Sequence, residues 1–265
     1  MFPSLKLSLS ILILFLWGSP ASVSASEASL PAGSIINDSV PDDDLTDEEL
    51  DLLDLLDEED DSENYRIADP VKYWNIAIYH FNDKLYFWGL KPLTKGYIAV
   101  TSKSIRSGVK NFFSNITTPI RLVSCILQLK IKNAGTETAR FAINSTVGIL
   151  GFGDPAKKYY GLKPKDEDLG QTFGFYGIGN GFYIVWPFFG PSSMRDSVGM
   201  IGDMFLDPIF YVKPREASIG ITSYKTVNET SFKIGDYEIL KAAAIDPYEA
   251  LKDAYIQNRK KKINE

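Results

Sequence analysis

One cysteine, Cys125, and one histidine, His80, are all that 265 residues hold of either type. A single cysteine excludes an intramolecular disulfide. So small a set also leaves a His/Cys metal site, a Cys–His nucleophile and a histidine relay without parts. No Gly-x-Ser-x-Gly elbow occurs, and Ser192-Ser193 follow a Gly-Pro turn with no evident base. The composition points away from an enzyme, and no catalytic residue, metal ligand or cofactor is expected. Long apolar runs are scarce too. The run from Leu9 to Trp17, after Lys6, is too short to span a bilayer and leads to the small residues Val23-Ser24-Ala25. It reads as a secretory signal peptide over residues 1–25, so the mature chain is expected to be exported without an ordinary transmembrane helix. Alternating β patterns are few and short, and no internal repeat is present.

Charge is present but divided. Residues 1–63 carry sixteen acids against Lys6 alone, which leaves 27 Lys/Arg against 18 acids in the remainder, a net +9. An overall charge of −6 therefore hides an acidic arm on a basic body. Residues 26–68 read as a flexible acidic arm, although Thr46 and Glu49 have capping-box spacing. The body could be drawn to an anionic lipid surface, with solvated surface charge as the equal alternative. No nucleic-acid partner is expected. Residues 260–265 form a basic C-terminal tail.

From Asp69 onward the pattern is helical. Asp69-Pro70 reads as an N-cap and first helical residue. Val71, Trp74, Ile78, Phe81, Leu85 and Trp88 then share one face, with Gly89 as the stop. Asp154-Pro155, Asp207-Pro208 and Asp246-Pro247 repeat the start signal. Further helices are expected near Ile105–Ser114, Pro119–Lys132, Thr136–Ile149 (capped by Thr136), Met194–Phe205, Thr226–Ala244 and Tyr248–Asn258. Cys125 is expected to be a small buried residue on a helix. The expected fold is all-α with irregular Gly/Pro-rich connections.

Between Gly170 and Pro191 lie six glycines, two prolines and eight aromatics without a charged side chain. So much apolar surface on a backbone unsuited to one regular helix must be buried or meet something apolar. Arg140, Asn144, Asn111, Asn82 and Asp83 sit among aromatic or β-branched neighbours. They are expected to be hydrogen-bonded in place, or as a group to line a polar path through an apolar shell.

Taken together, these clusters resemble the MlaA/VacJ family. The resemblance runs through Asp69-Pro70, Asn75, Phe81-Asn82-Asp83, Arg106, Gly108, Asn111-Phe112-Phe113, Asn115 and Pro119. It continues through Leu127-Gln128, Arg140-Phe141, Asn144, Gly148, Gly151, Asp154-Pro155-Ala156 and Glu167-Asp168-Leu169-Gly170-Gln171-Thr172. It closes with Gly177–Tyr183, Pro187, Gly190-Pro191, Arg195-Asp196, Asp246-Pro247-Tyr248 and Tyr255–Arg259. This covers residues 69–259, in order, as one MlaA/VacJ-like helical domain.

The resemblance implies a ring-like helical body in the periplasmic leaflet of the outer membrane, with amphipathic membrane-embedded segments. It implies a central channel that takes phospholipid from the outer leaflet to a periplasmic lipid-carrier protein, beside an outer-membrane porin trimer. It places lipid-channel or structural-motif residues at Asn82, Asp83, Arg106, Asn111, Arg140, Asn144, Asp154, Gln171, Arg195 and Asp196. A membrane ridge is expected from Gly177, Gly179, Gly181, Phe182, Tyr183, Trp186, Pro187, Phe188, Phe189 and Gly190. An ordinary buried turn is the alternative to the ridge; if the Gly179 backbone needs a positive φ, a β-branched residue there is expected to impair transport. An envelope scaffold docking on a porin-type β-barrel is the alternative; a lipid hydrolase is disfavoured by the single histidine.

Three departures from the family pattern stand out. Ser26 follows the cleavage site where the family carries a lipidated cysteine, so anchoring is expected to rest on the body's own surface or a partner. Asn75-Ile76 replaces the family's Asn-Arg, and Gly181-Phe182-Tyr183 replaces Gly-Pro-Tyr.

Overall fold

The structure, a computed structural model, describes residues 67–265. The expected signal peptide and almost all of the acidic arm lie outside the described residues. The fold among them is all-α apart from one short hairpin. Helix α1 spans Lys72–Leu85, passes through a π-helical turn at Tyr86–Leu90 and continues directly into α2, Lys91–Val100. The expected stop at Gly89 is therefore not taken. Pro92 supplies no N–H to the turn before it, and a widened π turn absorbs the missing bond without ending the helix. Asp69 does not cap α1 either. Its carboxylate is taken by Asn75 Nδ2 at 2.7 Å and the Tyr248 hydroxyl at 2.5 Å, and the helix begins at Lys72.

Helix α3 runs Lys103–Ile116 from a Ser102 cap and α4 runs Thr118–Leu127. The helix expected over 119–132 ends early. Leu129 sits at φ 58° and reverses the chain into α5, Ile131–Thr146. Thr136 therefore lies inside α5, bonded back to the Lys132 carbonyl at 3.0 Å, and does not cap its start. Helix α6, Pro155–Tyr160, starts at the Asp154 cap, and α7, Leu169–Phe175, starts at an Asp168 cap. Strands β1, Tyr183–Trp186, and β2, Gly190–Ser193, form the antiparallel hairpin, with Tyr183 opposite Ser193 and Trp186 opposite Gly190. Helix α8 is Met194–Leu206, followed by a 3-10 turn at Pro208–Tyr211 under the Asp207 cap. The single helix expected over 226–244 is two, α9 at Arg215–Thr230 and α10 at Asp236–Ala243, parted by Gly235 at φ 104°. Helix α11, Pro247–Asn264, opens at the Asp246 cap.

Neighbour contacts return to their starting point. They pass from α1 through β1, β2, α11, α7, α4, α3, α9 and α2 to the π turn and α1 again. No single large core forms. One apolar cluster gathers Ile67, Tyr79, Tyr183, Val185, Tyr248 and Ile256, and a smaller one Val109, Phe113 and Ile209. Cys125 is fully buried on α4. Among the described residues, twenty-two buried polar or charged residues outnumber fourteen buried apolar ones, while thirty-one large apolar residues stand exposed. That distribution is the reverse of the ordinary water-soluble arrangement. No helix among the described residues is long and apolar enough to cross a membrane.

Candidate functional site: a paired polar interior and a clamped hairpin

Residues seven apart share a helix face, and α1 uses this to hold the hairpin with two asparagines. Asn75, fully buried, donates to the Tyr183 carbonyl at 3.1 Å and accepts from Val185 N–H at 2.7 Å. Two turns on, Asn82 donates to the Trp186 carbonyl at 2.9 Å and accepts from Phe188 N–H at 2.7 Å. The second bond holds Phe188 at φ 69°, an uncommon conformation for an aromatic residue. Asp83 turns the other way. It pairs with Lys241 at 2.6 Å and accepts from the Tyr237 hydroxyl at 2.8 Å, tying α1 to α10.

A second constellation brings Arg140, Asn144 and Asp154 together. Arg140 Nη2 lies 3.1 Å from Asp154 Oδ2, and its Nη1 bonds the Leu162 carbonyl. Asn144 donates to Asp154 Oδ1 at 3.0 Å and accepts from Ala156 N–H at 3.1 Å. Burial opposes ionisation of Asp154, but the bonds from Arg140 and Asn144 hold its carboxyl below the usual range. Beside it the fully buried Glu137 meets Arg121 at 2.7 Å. Asn111, Asn115, Arg121, Arg140, Asn144 and Asp154 border a polar cavity of about 10 Å³, room for a single water. Arg106 lies elsewhere, with Nη1 on the Ser231 carbonyl at 3.0 Å and its guanidinium 5.4 Å from the Phe232 ring.

The third constellation fixes α11 to α7 and α8. Arg259 makes four bonds, 2.6 and 2.8 Å to Asp168 and 2.9 and 2.9 Å to Asp196. Gln171 donates to Asp168 at 3.1 Å and to the Asp166 carbonyl at 2.6 Å, and Arg195 Nε lies 2.9 Å from Asp196. Burial works against both carboxylates, yet the guanidinium prevails and brings Asp168 down to about 2 and Asp196 below its ordinary value. Asp203 has no such partner. Burial, with the Asp168 charge beside it, pushes its carboxyl up to about 7. Glycine is required where α7 meets α8, since a Cβ on Gly199 would lie 2.3 Å from Gly170 N.

The expected ridge divides in two. Gly177, Gly179 and Gly181 lie exposed, whereas Phe182, Trp186, Pro187, Phe188, Phe189 and Gly190 are half-buried. Tyr183 is sealed in the core with no exposure, so its ring adds nothing to an outer surface. Gly177, Gly181 and Gly190 have positive φ; Gly179 does not, and an added Cβ there meets nothing within 4 Å. The conformational need expected at Gly179 belongs to its neighbours.

Sequence reasoning quoted Asp168, Arg259 and Tyr255 as motif residues without giving them a site, and passed over Asp203 and Lys225. The spacing of 91 residues between Asp168 and Arg259 offers no local signal. Asp207 is also buried, with Oδ2 unpartnered and its carboxyl raised by burial; Lys225 nearby is lowered by burial. An open apolar groove of about 510 Å³ runs between α2 and α9, lined by Pro92, Leu93, Gly96, Tyr97, Tyr224 and Val227.

Comparison with known proteins places these features in a family. Residues 67–262 match the family model described as MlaA lipoprotein. An uncharacterised protein of Rickettsia felis is 29% identical over 198 residues, 74% of this chain and 78% of its own length. The "Intermembrane phospholipid transport system lipoprotein MlaA" of Escherichia coli is 28% identical over 72% of this chain and 76% of its own. A chain solved in work on the "structural basis for maintenance of bacterial outer membrane lipid asymmetry" superposes with a TM-score of 0.66 at 26% identity. That match covers 74% of this chain and all of the solved one. With the matched model spanning nearly every described residue, the chain belongs to the MlaA lipoprotein family.

Proposed function

We propose that this chain is a non-enzymatic phospholipid-transport component of the outer membrane, seated in its periplasmic leaflet. In this reading it removes mislocalised phospholipid from the outer leaflet through an amphipathic interior and passes it to a periplasmic carrier protein. A porin trimer is the neighbour in the membrane. One observation carries the reading: among the described residues, thirty-one large apolar side chains are exposed while buried polar residues outnumber buried apolar ones, most of them hydrogen-bonded. In water that arrangement exposes apolar surface at a cost of roughly 25 cal/mol per Å²; in hydrocarbon the cost disappears. Irregular backbone at membrane depth must be satisfied within the protein, and the Asn75 and Asn82 bonds do this for the hairpin. The naming of the Escherichia coli relative for intermembrane phospholipid transport, and the link of the solved chain to outer-membrane lipid asymmetry, support the same direction.

A second reading, an envelope scaffold that docks on a β-barrel without moving lipid, is favoured by the tightness of the polar interior near Arg140, which admits one water. The two readings part on deletion. Loss of a transporter raises phospholipid in the outer leaflet, measured by labelling of surface-exposed headgroups on intact cells. Unchanged outer-leaflet phospholipid together with loss of porin association leaves the scaffold reading. Purified protein that stays monomeric without detergent and carries no phospholipid refutes transport.

A further inference from the structure

The turn between α5 and α6 presents Val147, Ile149 and Leu150 to the outside, each about two-thirds exposed or more. It does so at some conformational cost. Ile149 and Leu150 both sit at positive φ, 53° and 58°, where a β-branched residue is a true outlier. The segment is nonetheless held firmly. Leu150 N–H bonds the Ser145 carbonyl at 3.1 Å, Gly151 N–H the Asn144 carbonyl at 2.8 Å, and Gly153 N–H the Gly148 carbonyl at 2.8 Å. A Cβ on Gly148 would lie 2.5 Å from the Asn144 carbonyl, and one on Gly151 2.5 Å from Asn115. Strain kept in place by so many contacts marks a segment whose outward display is specified.

Directly after this tip comes a lobe of opposite character. Lys157, Lys158, Tyr159 and Tyr160 on α6 are exposed, as is Lys163 beyond it, and no acid lies between Asp154 and Asp166. Asp154 is already committed to Arg140 and Asn144. Lys157, Lys158 and Lys163 enter none of the ion pairs among the described residues; Lys158 lies 5.1 Å from the Tyr159 ring. Helix α6 has six residues, about 9 Å at 1.5 Å per residue. The tip, Lys157-Lys158, Tyr159-Tyr160 and Lys163 thus bring apolar, cationic and aromatic side chains into one short exposed segment, the residue types a membrane interface accepts.

We propose that residues 147–163 form an interfacial anchor whose tip enters the acyl layer and whose lysines bind anionic phospholipid headgroups. The proposal rests on the membrane seating above and adds to it the preferred lipid charge and the side of the body that meets it. Flotation of the full chain with vesicles tests it, using phosphatidylcholine alone or with phosphatidylglycerol added. Wild type binds the anionic vesicles about 100-fold better, at about fivefold per lysine, and high salt removes the preference. K157Q/K158Q/K163Q loses that preference while still binding neutral vesicles, and V147S/L150S loses binding to both without a change in thermal melting. Equal binding of wild type to both vesicles, or a lysine variant that keeps the preference, overturns the anchor while leaving the membrane reading intact. Wild type that floats with neither overturns both.

Discussion

Arg259→Gln removes the cation shared by Asp168 and Asp196 and leaves two carboxylates in place with only neutral donors and Arg195. Breaking a buried pair by deleting one partner costs about 3–5 kcal/mol, because the remaining charge stays desolvated. Asp196 keeps Arg195 at 2.9 Å and the Tyr255 hydroxyl, so most of the loss falls on Asp168. Because the Asp168 side chain keeps 30% of its exposure, the expected cost is at the low end, about 3 kcal/mol, still a large part of the roughly 5–15 kcal/mol that holds a domain together. Arg259→Lys keeps the charge but not the four-bond fork, and about half that loss is expected. Urea unfolding of the full chain in mild detergent, followed by far-UV circular dichroism, reads the change as a midpoint shift of about 1.5 M at a slope of about 2 kcal/mol per M. The pH dependence checks the cause. Asp168 has a folded value of about 2 against an ordinary 3.8, so its contribution is full above pH 4 and is lost as pH falls through 2. The gap between wild type and variant must therefore close as the acids protonate. A shift below about 1 kcal/mol at pH 7, or a gap that stays the same down to pH 3, refutes the reasoning.

Asp203 titrates in the opposite sense. Its folded value of about 7 exceeds the ordinary 3.8, so the folded chain keeps a proton that the unfolded chain has released, and stability falls as pH rises from 4 through 7. Asp203→Asn should raise stability at pH 8 by about 2 kcal/mol, a discounted fraction of three pKa units, and by little at pH 4; melting curves at the two values decide it. Gly199→Ala forces a methyl group against Gly170 backbone 2.3 Å away and should cost about 1–3 kcal/mol by overpacking. Gly179→Ala, with open space around its Cβ, should stay within about 0.5 kcal/mol, and equal melting of the two variants contradicts the close approach of α7 and α8.

Starts of helices were legible where the cap is local. Asp154, Asp207 and Asp246 each accept from a backbone N–H two or three residues on, a signal contained in a few residues. Asp69 carries the same dipeptide but is drawn off by Asn75 and by Tyr248 from the far end of the chain, which local spacing does not disclose. Gly89 and Thr136 failed for a related reason: packing of the surrounding helix outweighs a breaker or cap preference of about 1 kcal/mol. Arg140 and Asn144 were picked out by their apolar neighbours, whereas Asp154, fourteen residues from Arg140, was read only as a helix start and a motif residue. The Arg259 latch and the raised Asp203 depend on elements brought together late in the chain, and only the fold shows them. Tyr183 looked like membrane surface by composition. Its place in a hairpin of four-residue strands, too short to read by alternation, turns its ring inward.

Pairing inside and apolar surface outside have a joint consequence for how such a body is held together. Among the described residues, nine of the fourteen buried apolar residues gather in two small clusters, so the hydrophobic term available in water is modest. The contacts between distant elements rest instead on asparagine clamps and carboxylate–guanidinium pairs. Those bonds strengthen as local dielectric falls and water is excluded. A fold assembled this way should tighten when its outer face enters hydrocarbon and loosen when water replaces it.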